Sequence, residues 1–355
     1  MLGTHVYHRS RHGVSLLETI VMLAIIATLI ALVVPAVLRV RAVSDEAICA
    51  DRLRQLGQTA HLFERDHGRL PPGYLGPGRE HETTAPAAYR HGQWLGHLPL
   101  LLPYLEQRAL LEKLSQEVSL DVNTISQKWW ISKTGEEPNP ATYRLAMTPV
   151  KHFLCPAVPR FEPLTESYRQ GGTVIGVHVF HNERSIRTIY WGEGYETEVE
   201  FRFLAPTHYV GCAGTGVGTN PEYLRWAGVY TNRSAWSLSG LAARDGTSNT
   251  LLYGEATGTR DPDKPAWTRD LSWMGSGALG TFDGLYRGRD GTVMTFTSYH
   301  VRGVPFCFAD GSVRWLRYAD YGGPREPRTP AWLALQQLAG VADGGMADAS
   351  LILVE

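Results

Sequence analysis

The hydrophobic pattern of this chain begins with one long apolar segment near the N-terminus. Residues 19–38 contain no charged side chain, and most of them are apolar. Twenty such residues span about 30 Å as a helix, which is roughly the thickness of a bilayer core. A single carboxylate, Glu18, stands at the start of this segment. Because an unpaired charge is costly in lipid, Glu18 is a candidate functional residue.

The apolar pattern continues beyond Arg39 with the spacing of a helix. Apolar residues recur at steps of three and four, at Val40, Val43, Ala47, Ala50, Leu53, Leu56, Ala60 and Phe63. Such steps place side chains on one face of a helix, and the pattern ends at Gly68. We therefore predict one helix from Val14 to His67, about 80 Å long. Two helices broken at Pro35 also fit this pattern.

Beyond this helix, the pattern predicts a head rich in β-strands. Residues 173–180 and 197–204 are typical of strands, and the second segment alternates apolar and charged side chains. Residues 153–156 are typical of a strand end that enters a turn. Asp310-Gly311 separates two apolar alternating segments, which predicts a hairpin with a type I′ turn. Thr329-Pro330 predicts the start of a helix that ends near Gly340.

Composition narrows the function classes. The chain has 355 residues and a formal net charge of −1, which argues against a nucleic-acid partner. The nearly 290 residues behind the helix suffice for one large domain or two small ones. The 37 glycines and 21 prolines suit a β domain with many turns.

The four cysteines are Cys49, Cys155, Cys212 and Cys307. If the head is exported, disulfides are allowed, and four cysteines permit three pairings. A Cys49–Cys155 disulfide is the pairing we favour, because it would attach the long helix to a loop of the head. Unpaired buried thiols are the alternative. The C-x-x-C spacing of many zinc sites is absent, so the sequence predicts no metal site.

Two ordinary explanations of the N-terminus fit it incompletely. A secretory signal peptide has an apolar region of about 7–15 residues, which is shorter than the segment here. A plain membrane anchor explains the length but not the carboxylate of Glu18. Orientation cannot be derived from charge, since two arginines precede the segment and two follow it.

The segment from Gly13 to Glu18 resembles the cleavage and methylation motif of type IV prepilins. The resemblance implies that a prepilin peptidase cuts after Gly13 and that the new N-terminal residue, Val14, is methylated. It also implies that Glu18 pairs with the N-terminal amine of a neighbouring subunit during assembly. Pro35 falls where these helices commonly carry a proline. Val14 departs from the pattern, in which Phe or Met is commoner.

The rest of the chain resembles one family of prepilin-like proteins, known as the "domain of unknown function 1559" family. Its marks occur here in order, at Leu53–Gly57, Leu70–Gly73, Leu102–Gln107, Phe153–Pro156, Asp245–Thr250, Gly254-Glu255, and His300 separated by nine residues from Asp310-Gly311. The last element is described as associated with prepilin processing. Val304-Pro305 departs from the paired glycines and small residues that the family often has there. The resemblance implies an exported subunit with an enlarged head, but neither a ligand nor a reaction.

Four polar residues of the head are candidates for a binding site: His300, Asp310, Asp245 and Glu255. Together they could bind a cation or a glycan. The structural alternative is that both aspartates serve their turns and that His300 hydrogen-bonds a strand end. No G-x-S-x-G, H-E-x-x-H or phosphate-binding loop occurs in the sequence, so we expect neither enzyme activity nor a cofactor.

These observations predict an α+β, pilin-like fold. Its parts are a leader peptide (1–13), a transmembrane and spine helix (14–68) and an antiparallel β-rich head (69–355) with the hairpin at about 292–318. The predicted function is that of a type IV pilin-like or type II secretion pseudopilin-like subunit. Its expected partners are the prepilin peptidase, the inner membrane, which it crosses once, and other pilin-like subunits. The head would then be periplasmic or at the cell surface. The alternative is a membrane-tethered solute- or glycan-binding protein that does not polymerise.

Overall fold

A computed structural model describes most of the chain. The described residues are 15–77, 92–126, 128–130, 139–158, 173–174, 176–181, 186–191, 204–216, 221–260, 268–322, 328–345 and 347–354. Residues 1–45 and 46–355 form two compact units. The predicted strand at 197–204 lies outside the described residues except for Leu204.

Helix α1 (Leu16–His67) is one continuous helix of 52 residues with Pro35 inside it. Its end is set by Gly68, which adopts a φ of +72° that favours glycine, while its N–H still bonds to the Glu64 carbonyl. In the first unit, every described residue before Asp45 is exposed, although most of these side chains are apolar. By length and composition, α1 is the described helix that could cross a membrane.

In the second unit, the remainder of α1 buries one face in the head. The buried apolar residues of this face are Cys49, Leu53, Leu56, Ala60 and Phe63. The buried face begins later than the sequence predicts, because Val40, Val43 and Ala47 are exposed. The predicted helical face is thus right from Leu53 onward, and Cys49 belongs to it.

The strands of the head are short. In chain order, those in the described residues are β1 (Tyr74–Leu75), β2 (Leu95–Gly96), β3 (Thr173–Val174), β4 (Gly176–His181), β5 (Ile186–Trp191), β6 (Pro206–Thr207), β7 (Tyr209–Cys212), β8 (Leu251–Glu255), β9 (Thr259–Arg260), β10 (Thr268–Ser272), β11 (Ala278–Leu279), β12 (Leu285–Arg287), β13 (Phe296–Ser298), β14 (Val304–Phe308) and β15 (Val313–Leu316). The predicted strand at 173–180 is therefore confirmed, as β3 and β4.

The largest described sheet has the order β11-β7-β8-β14-β15. Its neighbours pair antiparallel except β11 and β7, which are parallel. A second sheet has the order β3-β10-β6, with β9 also paired to β10. The pairs β1-β2 and β4-β5 are antiparallel, whereas β12-β13 is parallel. The architecture is α+β with mostly antiparallel pairing, as predicted.

Short helices cover the sheets. The described α-helices after α1 are α2 (Leu98–Leu101), α3 (Arg108–Glu117), α4 (Pro140–Ala146), α5 (Pro221–Leu224), α6 (Leu238–Ala242) and α7 (Pro330–Ala339). Helix α7 begins as the sequence predicts: Thr329 Oγ1 accepts a hydrogen bond from the Trp332 N–H at 3.1 Å. Residues 151–153 form a 3₁₀ turn, so the predicted strand end at 153–156 is wrong.

The predicted hairpin is confirmed, but its turn type is wrong. Strands β14 and β15 pair in the register Val304 to Leu316 and Cys307 to Val313. A type I′ turn needs positive φ at both central residues, whereas Gly311 has a φ of +81° and Asp310 does not share this region. The Gly311 N–H bonds to the Phe308 carbonyl at 2.9 Å. The left-handed Gly311 is therefore the last residue of a four-residue turn that begins at Phe308.

Two hydrophobic cores lie on the two faces of the largest sheet. Successive side chains of a strand point to opposite faces, so Phe306 and Cys307 of β14 enter different cores. The buried residues of α1 share the core of Cys307, and those of α7 share the core of Phe306. The sheet is therefore covered by α1 on one face and by α7 on the other.

Candidate functional site

Four polar side chains come together in the interior of the head: Cys49, Cys155, Glu255 and His300. One ligand atom from each lies within 4.8 Å of the corresponding atoms of the other three. All four residues are almost completely buried, with exposures of 0% for Cys49 and Glu255, 3% for Cys155 and 4% for His300. We call this group the Cys-Cys-Glu-His cluster.

Each member of the cluster comes from a different segment. Cys49 lies on the buried face of α1, and Cys155 follows the 3₁₀ turn that ends at Phe153. Glu255 is the last residue of β8, and His300 comes shortly after the end of β13. The apolar packing of α1 against the sheet therefore places a thiol next to the ends of two strands.

The contacts inside the cluster are short and polar. The Cys155 sulfur lies 3.4 Å from His300 Nε2, which in turn lies 3.6 Å from Glu255 Oε2. Ser298 Oγ donates a hydrogen bond of 3.0 Å to the same Glu255 oxygen. The other carboxylate oxygen, Oε1, is buried and has no hydrogen-bond partner in the described part of the chain. An unpartnered buried carboxylate oxygen is costly, so this arrangement needs a compensating group.

The loops that carry the cluster are held by a surrounding set of hydrogen bonds. The Cys155 N–H donates to His208 Nδ1 at 2.8 Å, and Arg52 Nη1 of α1 donates to the Leu154 carbonyl. Tyr318 Oη donates to the carbonyls of Ser298 and His300 at 2.8 and 2.9 Å. These bonds restrict the positions of Cys155 and His300, and such outer contacts are typical of sites that orient ligands.

Burial makes the anionic forms of the cluster unfavourable. It raises the pKa of Glu255 to about 8, although hydrogen bonds from Cys155 and Ser298 act in the opposite direction. Burial also raises the pKa of the Cys155 thiol far above its usual range, and the neighbouring Cys49 and Glu255 add to this rise. A cation bound among these groups would reverse the preference, because it supplies the missing opposite charge.

The structure brings together two of the four residues predicted for a head site, His300 and Glu255. Asp310 is not part of the cluster. Its Oδ1 accepts a 2.8 Å hydrogen bond from the Ser312 N–H, and its Oδ2 lies 3.5 Å from Arg314 Nη2. Asp310 and Gly311 therefore order the hairpin turn, as the structural alternative supposed.

Asp245 has a structural role too, between two segments that are distant in sequence. Its carboxylate accepts hydrogen bonds from the backbone N–H groups of Asp343 and Gly344, at 3.1 and 3.3 Å. These bonds attach the segment after α7 to the loop before β8. Asp245 is not a member of the Cys-Cys-Glu-His cluster.

All four cysteines are free and buried. The sulfurs of Cys49 and Cys155 lie within 4.8 Å of each other without a bond between them, so the pair predicted for a disulfide is neighbouring in space. Absence of C-x-x-C spacing bears only on sites whose cysteine ligands are close in sequence. The four members of the cluster are distant in sequence, so no spacing motif could have identified them.

Of the residues assigned to processing and assembly, Gly13 and Val14 lie outside the described residues. Pro35 lies inside α1. Glu18 Oε2 accepts a 2.9 Å hydrogen bond from the Ser15 N–H, and Ser15 Oγ accepts one of 3.2 Å from the Glu18 N–H. This reciprocal pair is a capping box, which stabilises the start of α1. The signal for it, a serine three residues before a glutamate, was present in the sequence and was missed.

Comparison with known proteins yields one match. The model of a family described as "Protein of unknown function (DUF1559)" matches residues 41–319, which is more than half of the chain. The matched region includes all four members of the Cys-Cys-Glu-His cluster and excludes the exposed apolar segment before Arg41. No curated protein and no solved structure matches the chain.

Proposed function

This chain belongs to the family described as "Protein of unknown function (DUF1559)", and on this basis we propose that it is a membrane-anchored, pilin-like structural subunit. The family and the apolar N-terminal helix are compatible with a membrane-anchored surface protein. The finer assignment, to a type IV pilin-like or type II secretion pseudopilin-like role, is our proposal.

The single observation that carries the proposal is the difference in exposure between the two parts of α1. Its described residues before Asp45 expose an apolar surface that water does not favour, whereas the face from Cys49 to Phe63 belongs to the core of the head. One continuous helix thus supplies both an apolar segment and an element of the globular fold. This combination suits a subunit that is held in a membrane and later packs with the apolar segments of other copies.

The proposed subunit is processed at its N-terminus. A prepilin peptidase cuts after Gly13, the new N-terminus at Val14 is methylated, and the head is placed in the periplasm or at the cell surface. Cleavage there leaves Ser15 and Glu18 in the mature chain, so the capping box survives processing. Glu18 then has two roles: it closes the first turn of α1, and its charge pairs with the N-terminal amine of a neighbouring subunit.

These two roles of Glu18 can be separated by a matched pair of variants. Glutamine can replace glutamate in a capping box, so Glu18→Gln keeps the helix start and removes the charge. Glu18→Ala removes both. If the charge pairs with a neighbouring subunit, both variants are inserted in the membrane at normal levels, and neither enters assemblies with other subunits. Chemical cross-linking of cells that express each variant, followed by electrophoresis of the membrane fraction, measures this.

Two results would contradict the pairing role of Glu18. The first is assembly of Glu18→Gln at the wild-type level while Glu18→Ala fails, which would reduce the residue to its capping function. The second is wild-type assembly of both variants. A specific sugar or peptide ligand for the head, found together with an absence of any cross-linked assembly of the wild type, would instead favour a tethered binding protein.

A further inference from the structure

We infer that the Cys-Cys-Glu-His cluster binds one zinc ion, held by the sulfurs of Cys49 and Cys155, one carboxylate oxygen of Glu255 and Nε2 of His300. This site is independent of the proposed role in assembly. It lies in the head, and through one metal it would join α1 to the end of strand β8 and to two loops of the head.

The donor set fits zinc better than other common biological cations. Zinc binds cysteine sulfur, histidine nitrogen and carboxylate oxygen, and its structural sites almost always have four ligands in tetrahedral geometry. Calcium and magnesium select oxygen ligands, so a site with two thiols excludes them on chemical grounds. The cluster supplies four ligands of the preferred kinds, one from each residue.

The distances also fit. Tetrahedral zinc with bonds of about 2.0–2.3 Å separates its ligand atoms by about 3.3–3.8 Å. Of the six distances between the four ligand atoms, that between Cys155 Sγ and His300 Nε2 is 3.4 Å and that between His300 Nε2 and Glu255 Oε2 is 3.6 Å. All four ligand atoms lie within 4.8 Å of one another, so only a small contraction is needed.

A second observation points to a ligand independently of the donor set. Glu255 is completely buried, and its Oε1 has no hydrogen-bond partner within the described residues. In the described part of the chain, the ion-pair partner of this carboxylate is His300, whose Nε2 lies 3.6 Å from Glu255 Oε2. A divalent cation would compensate both the buried carboxylate and the two thiols. On binding, zinc replaces the protons of the Cys49 and Cys155 thiols and the proton of the Glu255 carboxyl, and these protons pass to solvent.

A neighbouring serine contacts two of the proposed ligands. Ser298 Oγ donates to Glu255 Oε2, and the backbone N–H of His300 donates to the same Ser298 oxygen at 3.1 Å. One serine thereby orients two ligands. Loss of such an outer contact weakens metal affinity by about 10–100-fold. Ser298→Ala should therefore weaken zinc binding while leaving all four ligands in place.

The test uses the full-length chain, purified in detergent under reducing conditions and dialysed against Zn²⁺. Elemental analysis should give about one zinc per chain. Replacing zinc by Co²⁺ should give the visible absorption bands of a tetrahedral cobalt–thiolate site. Glu255→Gln and His300→Gln should lose both signals, and Cys49→Ser should do the same. The matched control is Cys212→Ser, which removes another buried free thiol outside the cluster and should keep both signals.

Circular dichroism and gel filtration identify any variant that fails to fold. Glu255→Gln is the decisive variant, because it keeps the shape of the side chain. Three results would overturn the inference: absence of zinc from the reduced wild type after dialysis, equal zinc content in Glu255→Gln and His300→Gln, or loss of zinc from the Cys212→Ser control alone. A stable Cys49–Cys155 disulfide in the native protein, detected by mass spectrometry and accompanied by no zinc, would also overturn it.

Discussion

Replacement of Gly57 by alanine tests how closely α1 packs on strand β14. Gly57 lies on the buried face of the helix, and a Cβ atom there would stand 2.5 Å from the Cys307 sulfur. That distance is far inside van der Waals contact, so the sulfur or the helix must move. Overpacking of this kind costs about 1–3 kcal/mol.

Helix propensity acts in the opposite direction and must be subtracted. Alanine in place of glycine stabilises a helix interior by about 0.5–1 kcal/mol. The net effect of Gly57→Ala is therefore a loss of about 0–2.5 kcal/mol in the free energy of unfolding. Cys307→Ala should cost about 1 kcal/mol on its own, because it leaves a small cavity.

The double variant shows whether the effects of Gly57→Ala and Cys307→Ala on stability arise from one shared contact or are independent. In Gly57→Ala/Cys307→Ala the new methyl group occupies the space that the sulfur leaves. The double variant should therefore be more stable than the sum of the single effects predicts, by about 1 kcal/mol or more, whereas independent sites add to within about 0.5 kcal/mol. The assay is guanidinium unfolding of the full-length protein in detergent, followed by tryptophan fluorescence.

The control is Gln58→Ala, on the exposed face of the same turn, which should change stability by less than about 0.5 kcal/mol. Additive single effects would refute the reasoning. An increase in the stability of Gly57→Ala would also refute it, because the gain in helix propensity would then exceed any cost of overpacking against Cys307.

Three further predictions concern the head. Burial lowers the pKa of His97 to about 4, so the unfolded chain binds a proton at a higher pH than the folded chain does. The free energy of unfolding should therefore fall by about 3 kcal/mol as the pH drops from about 6.5 to about 4. Unfolding measured at several pH values should show a smaller fall for His97→Gln. Thr329→Ala removes the cap of α7 and should cost about 1 kcal/mol in thermal unfolding, whereas Thr329→Ser should keep most of it. Asp245→Ala removes two hydrogen bonds to the backbone after α7, so hydrogen exchange should speed up at Asp343 and Gly344; unchanged exchange there would contradict the assigned role.

The long helix, the hairpin and α7 could be predicted from the sequence because their signals are local. Steps of three and four residues define the buried face of α1, and Thr329-Pro330 is a start signal that α7 satisfies. The apolar pattern alone does not show which part of α1 the head covers. Val40 and Val43 continue the apolar pattern but are exposed in the structure.

The cluster shows why the site could be predicted only in part. The sequence predicts His300 and Glu255 as candidates together with Asp310 and Asp245, all four of which are polar residues within the marks of the family. Tertiary packing separates them: Asp310 accepts a backbone hydrogen bond within its own turn, and Asp245 accepts one from the segment after α7. Cys49 and Cys155 join the histidine and the glutamate because α1 packs on the sheet, which no local spacing encodes.

The most direct test of the pilin-like account is the N-terminus of the mature chain. Mass spectrometry of the protein purified from its native membrane fraction determines where the chain begins and whether its first residue is modified. The account predicts a chain that begins at Val14, with a methyl group on its amine. A chain that still begins at Met1, or one cut well beyond Val14, would contradict it.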